Sequence, residues 1–260
     1  MPAFTDQIGR TILLSAAPVR VISLVPSQTE LLYTLHADVA GITKFCIRPD
    51  VWYRNKPRVG GTKNVDREKI AALCPDLIIA NKEENDRDQV ESLAGCYPLW
   101  VSDIHTLSDA LQMIRSVGEL VDRPREASAI ATRILDNFSG LIPGPPVTAA
   151  YLIWRTDSPL SFMAAGGDTF IHDMLVRCGF VNPFAGHTRY PTVEPAALAA
   201  CNLVLLSSEP YPFREKHQIE LQALLPQAKV RLVDGQFFSW YGSRLLGAPR
   251  YFRDLLSGLP

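Results

Sequence analysis

Residues 64–85 read NVDREKIAALCPDLIIANKEEN, and residues 192–210 read TVEPAALAACNLVLLSSEP. Displaced by 126 residues, Glu68 falls on Glu194, Asp76 on Asn202, and LIIA (77–80) on LVLL (203–206). Each copy places a glutamate in the first turn of a short helical run, followed by a continuous apolar run of strand length. A glutamate, a helix and a buried strand written twice indicate an internally duplicated α/β chain.

The stretches around the two copies fit that reading. RVISLV (20–25) is a β-branched strand that leads into PSQTELLYTL, where Ser27 and Glu30 have the spacing of a capping box. VAGIT (39–43) reads as a strand, and residues 44–64, KFCIRPDVWYRNKPRVGGTKN, as an irregular loop rich in turn formers. Asp66 is placed to cap REKIAAL, and PLWV (98–101) is a further strand. Two helical segments follow, TLSDALQMIRSVGELV and RPREASAIATRILDNFSGLI, the second opening on Pro124. After PGPP (143–146), VTAAYLIW, NLVLLS and KVRLVD read as strands, and DTFIHDMLVRCGF, EPAALAA and GSRLLGAPRYFRDLLSGL as helices. Strands alternating with helices imply parallel sheets. The expected organisation is an α/β lobe over 1–122, a helical segment over 123–142 and a second α/β lobe over 143–260.

Composition excludes several classes of function. The chain has 260 residues, enough for two modest cores, with 47% hydrophobic and 20% charged residues. A net charge of −1 argues against a nucleic-acid partner, which calls for a basic excess. No apolar run approaches the ~20 residues of a membrane span. The first twenty residues carry Asp6 where a signal peptide has its basic region, and their apolar stretch is shorter than the ~7–15 residues of a signal core. Five cysteines without C-x-x-C spacing give neither a disulfide framework nor a zinc signature, and Cys74, Cys178 and Cys201 read as small buried residues at helix ends. No nucleophile elbow, phosphate loop, dinucleotide fingerprint or zinc-protease motif occurs, and the five histidines lack metal-ligand spacing. An enzyme therefore fits the sequence poorly, and no metal site is expected.

The sequence offers loop aromatics instead. In open α/β sheets, ligands bind outside the carboxyl ends of the strands. Those ends hold Phe45, Trp52, Trp154, Tyr190, Phe238, Trp240 and Tyr241. So many rings at loop positions point to a broad apolar pocket with a polar fringe, suited to a large flat or macrocyclic ligand. As a ligand cradle, these side chains are expected to be partly exposed.

Four stretches together resemble the class III, helical-backbone substrate-binding proteins of ABC importers: FTDQIGRTILLSAAPVRVISLVPSQTELLYTL, RVGGTKNVDREKIAALCPDLIIA, YPTVEPAALAACNLVLL and FFSWYGSRLLGAPRYFRDLL. The likeness runs from about Phe4 to Leu256. It implies two α/β lobes bridged by one rigid helix, a cleft for the ligand, and no catalysis. The implied ligand is a metal chelate, a corrinoid first, or haem or a ferric siderophore, with no permanently bound cofactor. The resemblance also implies that Glu68 and Glu194 dock on the two permease subunits of an ABC importer. It adds Cys46 to the ligand-binding residues, and Arg244, at the start of the last helix, is expected to meet a carboxylate, amide or phosphate of the ligand. It further implies a periplasmic monomer, although the sequence shows no signal peptide. A cytoplasmic corrinoid- or haem-binding module of the same fold, needing no docking glutamates, and a two-lobed α/β enzyme are the alternatives.

Overall fold

The computed structural model describes residues 2–143 and 145–258, so Gly144 of the PGPP break lies outside the described residues. The chain divides into two compact units, one of Met1–Ile104, Ser108–Leu135 and Tyr241–Leu246, the other of His105–Leu107, Asp136–Trp240 and Gly247–Pro260. The expected division did not foresee that Tyr241–Leu246 belongs to the first unit.

In the first unit, a hairpin of β1 (Ala3–Thr5) and β2 (Thr11–Leu13) precedes the main elements. These are β3 (Val21–Ser23), α1 (Pro26–Thr34), β4 (Val39–Ile42), α2 (Asp50–Asn55), α3 (Arg67–Ala72), β5 (Leu77–Asn81), α4 (Arg87–Ala94), β6 (Leu99–Ser102) and α5 (Leu107–Leu120). The four-stranded sheet has the order β4-β3-β5-β6 and is parallel throughout. Its strands are buried on both faces, which explains their unbroken apolar runs. Ile22, Leu24, Val59, Ile70, Ile78, Val90, Leu93 and Leu99 form one core cluster. α6 (Pro124–Ser139) matches the helix expected over 123–142 and opens on its proline.

The second unit contains β7 (Val147–Asp157), β8 (Leu160–Ala164), α7 (Phe170–Arg177), β9 (Phe180–Val181), β10 (Thr192–Val193), a 3₁₀ turn (Pro195–Leu198) and β11 (Leu203–Ser207). It continues through α8 (Glu215–Leu224), β12 (Lys229–Val233), α9 (Gln236–Ser239) and α10 (Ala248–Ser257). β7, β11 and β12 run parallel, and β8 and β10 extend the sheet antiparallel beyond β7.

The repeat seen in the sequence is built twice in the same way. Asp76, just before β5, accepts the Arg20 N–H at 2.8 Å and returns its own N–H to the Arg20 carbonyl. Asn202, just before β11, accepts the Thr148 N–H at 3.3 Å and returns its N–H to the Thr148 carbonyl. Each pair ties the start of a central strand (β5 or β11) to the start of its parallel neighbour (β3 or β7). This fixes register, which an apolar run on its own specifies weakly.

Three local expectations are corrected. Ser27 and Glu30 do not form a capping box, because Pro26 already starts α1 with Val25 as N-cap and no side-chain cap. The EPAALAA segment makes only a 3₁₀ turn, since Asn202 must already be in place to begin β11. Cys74 is exposed at φ 45° just after α3, while Cys178 and Cys201 are buried as expected.

The seat of α6 depends on Gly118 in α5. A methyl group there would lie 2.1 Å from the Ala127 Cβ and 2.9 Å from the Arg123 carbonyl oxygen. Gly118→Ala is therefore expected to lower unfolding free energy in urea by about 1–3 kcal/mol, despite the better helix propensity of alanine. Gly140→Ala, whose nearest neighbour would be 3.7 Å away, should change it by no more than about 0.5 kcal/mol.

Candidate functional site

Parallel pairing places the carboxyl ends of β3, β4, β5 and β6 on one side of their sheet. A layer of buried polar residues forms there: Ser23 at the end of β3, Thr43 after β4, Asn81 at the end of β5 and Ser102 at the end of β6. Asn81 Nδ2 donates to Ser102 Oγ at 3.0 Å, and Gln28 of α1 reaches the same hydroxyl at 2.5 Å. The NKEEN loop is a closed turn. Asn81 Oδ1 accepts the N–H groups of Glu83 and Glu84 at 2.9 Å, and Asn85 Oδ1 accepts the Asn81 N–H at 2.8 Å.

The expected ligand residues of this unit separate into exposed and buried ones. Phe45 is 51% exposed, with the Lys44 ammonium 5.1 Å from its ring centre. Ile47, Val51 and Tyr53 beside it are exposed as well, a continuation that composition alone did not single out. Cys46 is fully buried, its sulfur 3.1 Å from Thr29 Oγ1 and 3.2 Å from Thr43 Oγ1. Burial pushes its thiol up despite those hydroxyls, which keeps it protonated and ill-suited to bind a soft metal. Trp52 is also buried, packed edge-on against Tyr33 at 5.2 Å. The expected exposure of Trp52 is thus corrected.

The segment Tyr241–Leu246 completes the first unit. The Tyr241 hydroxyl donates to Glu84 at 2.7 Å, and burial, then the Glu84 charge, hold its phenol well above the ordinary range. Gly242 lies so close to α1 that a Cβ would sit 2.5 Å from the Ser27 carbonyl oxygen. Arg244 then grips Glu30 with two hydrogen bonds, Nε at 3.1 Å and Nη2 at 2.5 Å, each side chain less than one fifth exposed. Tyr241 is therefore a buried tie and not an exposed ring. Arg244 has a protein carboxylate in the place expected for a ligand group.

In the second unit, Trp154 lies on β7 beyond its last pairing with β11 and is 43% exposed, its ring edge-on to Tyr211 at 5.6 Å. Tyr190 is half-buried in the loop before β10. Phe238 is fully buried among Tyr151, Tyr251 and Phe252, with ring centres 4.8–6.4 Å away. Trp240 is 6% exposed, and its indole N–H donates to Glu209 at 2.8 Å. Both were expected to be exposed, and both are covered. Arg155, next to Trp154, is fully engaged by Glu220 at 2.7 and 2.8 Å and by Asp157 at 2.5 Å.

Glu68 is exposed in the first turn of α3, and Glu194 is exposed as the residue that opens the 3₁₀ turn. Each stands nine residues before the first residue of a central strand, β5 or β11. Among the described residues, no group of three His, Cys, Asp or Glu side chains is arranged to hold a metal, and no helix is long and apolar enough to cross a membrane.

A family profile described as periplasmic binding protein matches residues 21–202. The vitamin B12-binding protein of Photorhabdus laumondii subsp. laumondii is 28% identical over 179 residues, which cover 66% of this chain. The chain spans 63% of the length of that relative. Among solved structures, the periplasmic vitamin B12 binding protein BtuF of Vibrio cholerae superposes with a TM-score of 0.76 at 19% identity, covering 94% of this chain and 99% of the other. The periplasmic catecholate-siderophore binding protein VctP of Vibrio cholerae gives 0.77 at 13% identity, covering 98% of both. At such identities the superpositions establish the fold.

Covered aromatics carry stability. Trp240→Ala is expected to cost about 3–5 kcal/mol in chemical denaturation, chiefly through lost packing. Arg244→Met should cost about 2 kcal/mol, by stranding Glu30. A Trp240→Ala protein that unfolds like wild type would place the indole outside the core.

Proposed function

The chain belongs to the periplasmic binding protein family, and on that premise we propose that it is a non-catalytic substrate-binding protein that captures a metal chelate for an ABC importer. The observation that carries this reading is a pairing found in each unit by itself. An exposed strand-end aromatic occurs with an exposed glutamate at the start of a helical turn: Phe45 with Glu68, and Trp154 with Glu194. Exposed rings offer flat apolar area to a macrocycle or an aromatic chelate. Exposed carboxylates at helix starts, supported by the helix dipole, offer paired acceptors to arginines of a permease dimer. The residues proposed to contact ligand are accordingly Phe45, Ile47, Val51 and Tyr53 in the first unit, and Trp154 and Tyr190 in the second. Cys46, Trp52, Phe238, Trp240, Tyr241 and Arg244 are covered or engaged by other side chains and are left out of that set. The protein acts as a periplasmic monomer.

A corrinoid is the first ligand, since the matched relative is a vitamin B12-binding protein. One observation favours a second reading. The segment 44–58 carries Lys44, Arg48, Arg54, Lys56 and Arg58 against the single acid Asp50, so a chelate with acidic groups, such as haem or a ferric catecholate, would find complementary charge there.

Absorbance titration with cyanocobalamin, haemin and a ferric catecholate separates these ligands. One of them should bind, and Trp154→Ala should weaken it at least about tenfold, or 1.4 kcal/mol, while stability stays within about 0.5 kcal/mol. Binding by none of the three would overturn the chelate assignment. Glu68→Ala with Glu194→Ala should leave affinity unchanged and abolish stimulation of the importer's ATPase. Normal stimulation by the double variant would overturn the docking role of the two glutamates, and no stimulation by the wild-type protein would instead favour a binding module without a transport role.

A further inference from the structure

In the second unit, β7 carries one residue more than β8 can match. Leu152 pairs with Ala164, but the next pair along the ladder is Trp154 with Met163, so a bulge falls between them. By strict alternation Trp154 would share the face of Leu152, which lies in a core cluster with Ala164, Phe162 and Val193. The extra residue turns Trp154 to the opposite face and leaves its ring 43% exposed. Arg155 then takes the core side, paired with Phe162, which pairs in turn with Val193 of β10.

The bulge aligns Met163 between two partners on that opposite face. It pairs with Trp154 of β7 on one side and with Thr192 of β10 on the other. Directly paired residues of antiparallel strands have Cβ atoms about 4.5–5.5 Å apart, so the three side chains form one strip across the sheet. Thr192 is exposed and Met163 half-buried, whereas Phe162 and Val193, one position along, are buried. The ladder runs on past β10, the Ala164 N–H donating to the Pro191 carbonyl at 3.0 Å, so Tyr190 takes the same side as Thr192. None of these side chains is charged. The neighbouring cation, Arg155, is held by Glu220 and Asp157.

Building on the chelate-binding role above, we propose that Met163 and Thr192 contact the ligand with Trp154 as one uncharged strip. The strip selects a flat conjugated macrocycle, corrinoid or haem, over a ferric catecholate. An indole ring and a thioether are polarizable apolar groups, which pack well on the face of a macrocycle. A ferric catecholate is a compact polyanion, and the strip would strip water from it without supplying a cation. The Thr192 hydroxyl suits an amide or carboxylate at a macrocycle rim, since it can donate or accept. The bulge accounts for the arrangement, because without it Trp154 would turn to the core and leave Met163 with no ring beside it.

The test is NMR of the whole protein labelled with ¹³C at its methionine methyl groups. The chain has four methionines, of which Met113 and Met174 are fully buried and serve as references. Met163→Leu identifies the Met163 signal. The probes are cyanocobalamin, zinc protoporphyrin and the gallium complex of 2,3-dihydroxybenzoate, with binding measured separately by equilibrium dialysis. One of the macrocycles should bind more tightly than the gallium complex and shift the Met163 methyl, while Met113 and Met174 hold. Met163→Glu should weaken that macrocycle at least about tenfold, and Met163→Leu by less than about threefold. A bound macrocycle that leaves the Met163 methyl unmoved would overturn the contact, as would a folded Met163→Glu protein that binds like wild type. Tighter binding of the gallium complex would overturn the preference for a macrocycle. Each of these results leaves the chelate-binding role standing, whereas binding by none of the three overturns that role and the strip with it.

Discussion

Parallel strand pairing is the constraint from which the rest of this protein follows. Because β3, β4, β5 and β6 run the same way, each must be reached by a crossover, and all the carboxyl ends open on one side of the sheet. Buried strands allow no irregular backbone inside the sheet, so variable chemistry collects in the loops at those ends. The first unit answers with Ser23, Thr43, Asn81 and Ser102 as a hydrogen-bonded floor, and with Phe45 and its apolar neighbours as an exposed wall. In the second unit, β7, β11 and β12 impose the same polarity, and Trp154 emerges where β7 outruns its partner.

The two strand-start pairs, Arg20 with Asp76 and Thr148 with Asn202, show how one device sets both sheets. Placing Glu68 and Glu194 nine residues ahead of β5 and β11 gives each unit an exposed carboxylate at an equivalent point of its own fold. A stable device that ends in an exposed acid suits recognition, because the carboxylate contributes nothing to the core and is free to meet a partner. The segment Tyr241–Leu246 has the opposite character. Its tyrosine, glycine and arginine are all spent on α1 and Glu84.

The strands were legible because runs such as LIIA and LVLL have only one environment in which they are stable, a sheet covered on both faces. The equivalent positions of Glu68 and Glu194 were legible from the repeat. The exposure of the aromatics was not. Trp240 is covered because Glu209, 31 residues away, accepts its indole N–H, and Arg244 is occupied by Glu30, 214 residues away. Nothing local in FFSWYGSR distinguishes a ring that meets a ligand from one that closes a core. The strands β8 and β10 also escaped notice; β10 is only two residues long, and β8 folds back on β7 through a tight turn at residues 158–159. The capping-box reading at Ser27 failed through a local cause, since a proline one residue earlier had already begun the helix.

The central claim is that the exposed strand-end rings, and not the covered ones, meet the ligand. The chain has four tryptophans, of which Trp52, Trp100 and Trp240 are at most 8% exposed and Trp154 is 43% exposed. Fluorine NMR of protein labelled with 5-fluorotryptophan, recorded with and without a diamagnetic chelate that binds, reads all four sites at once. The account predicts a large shift of the Trp154 resonance with the other three nearly in place. A shift of Trp240 with Trp154 unmoved would contradict it.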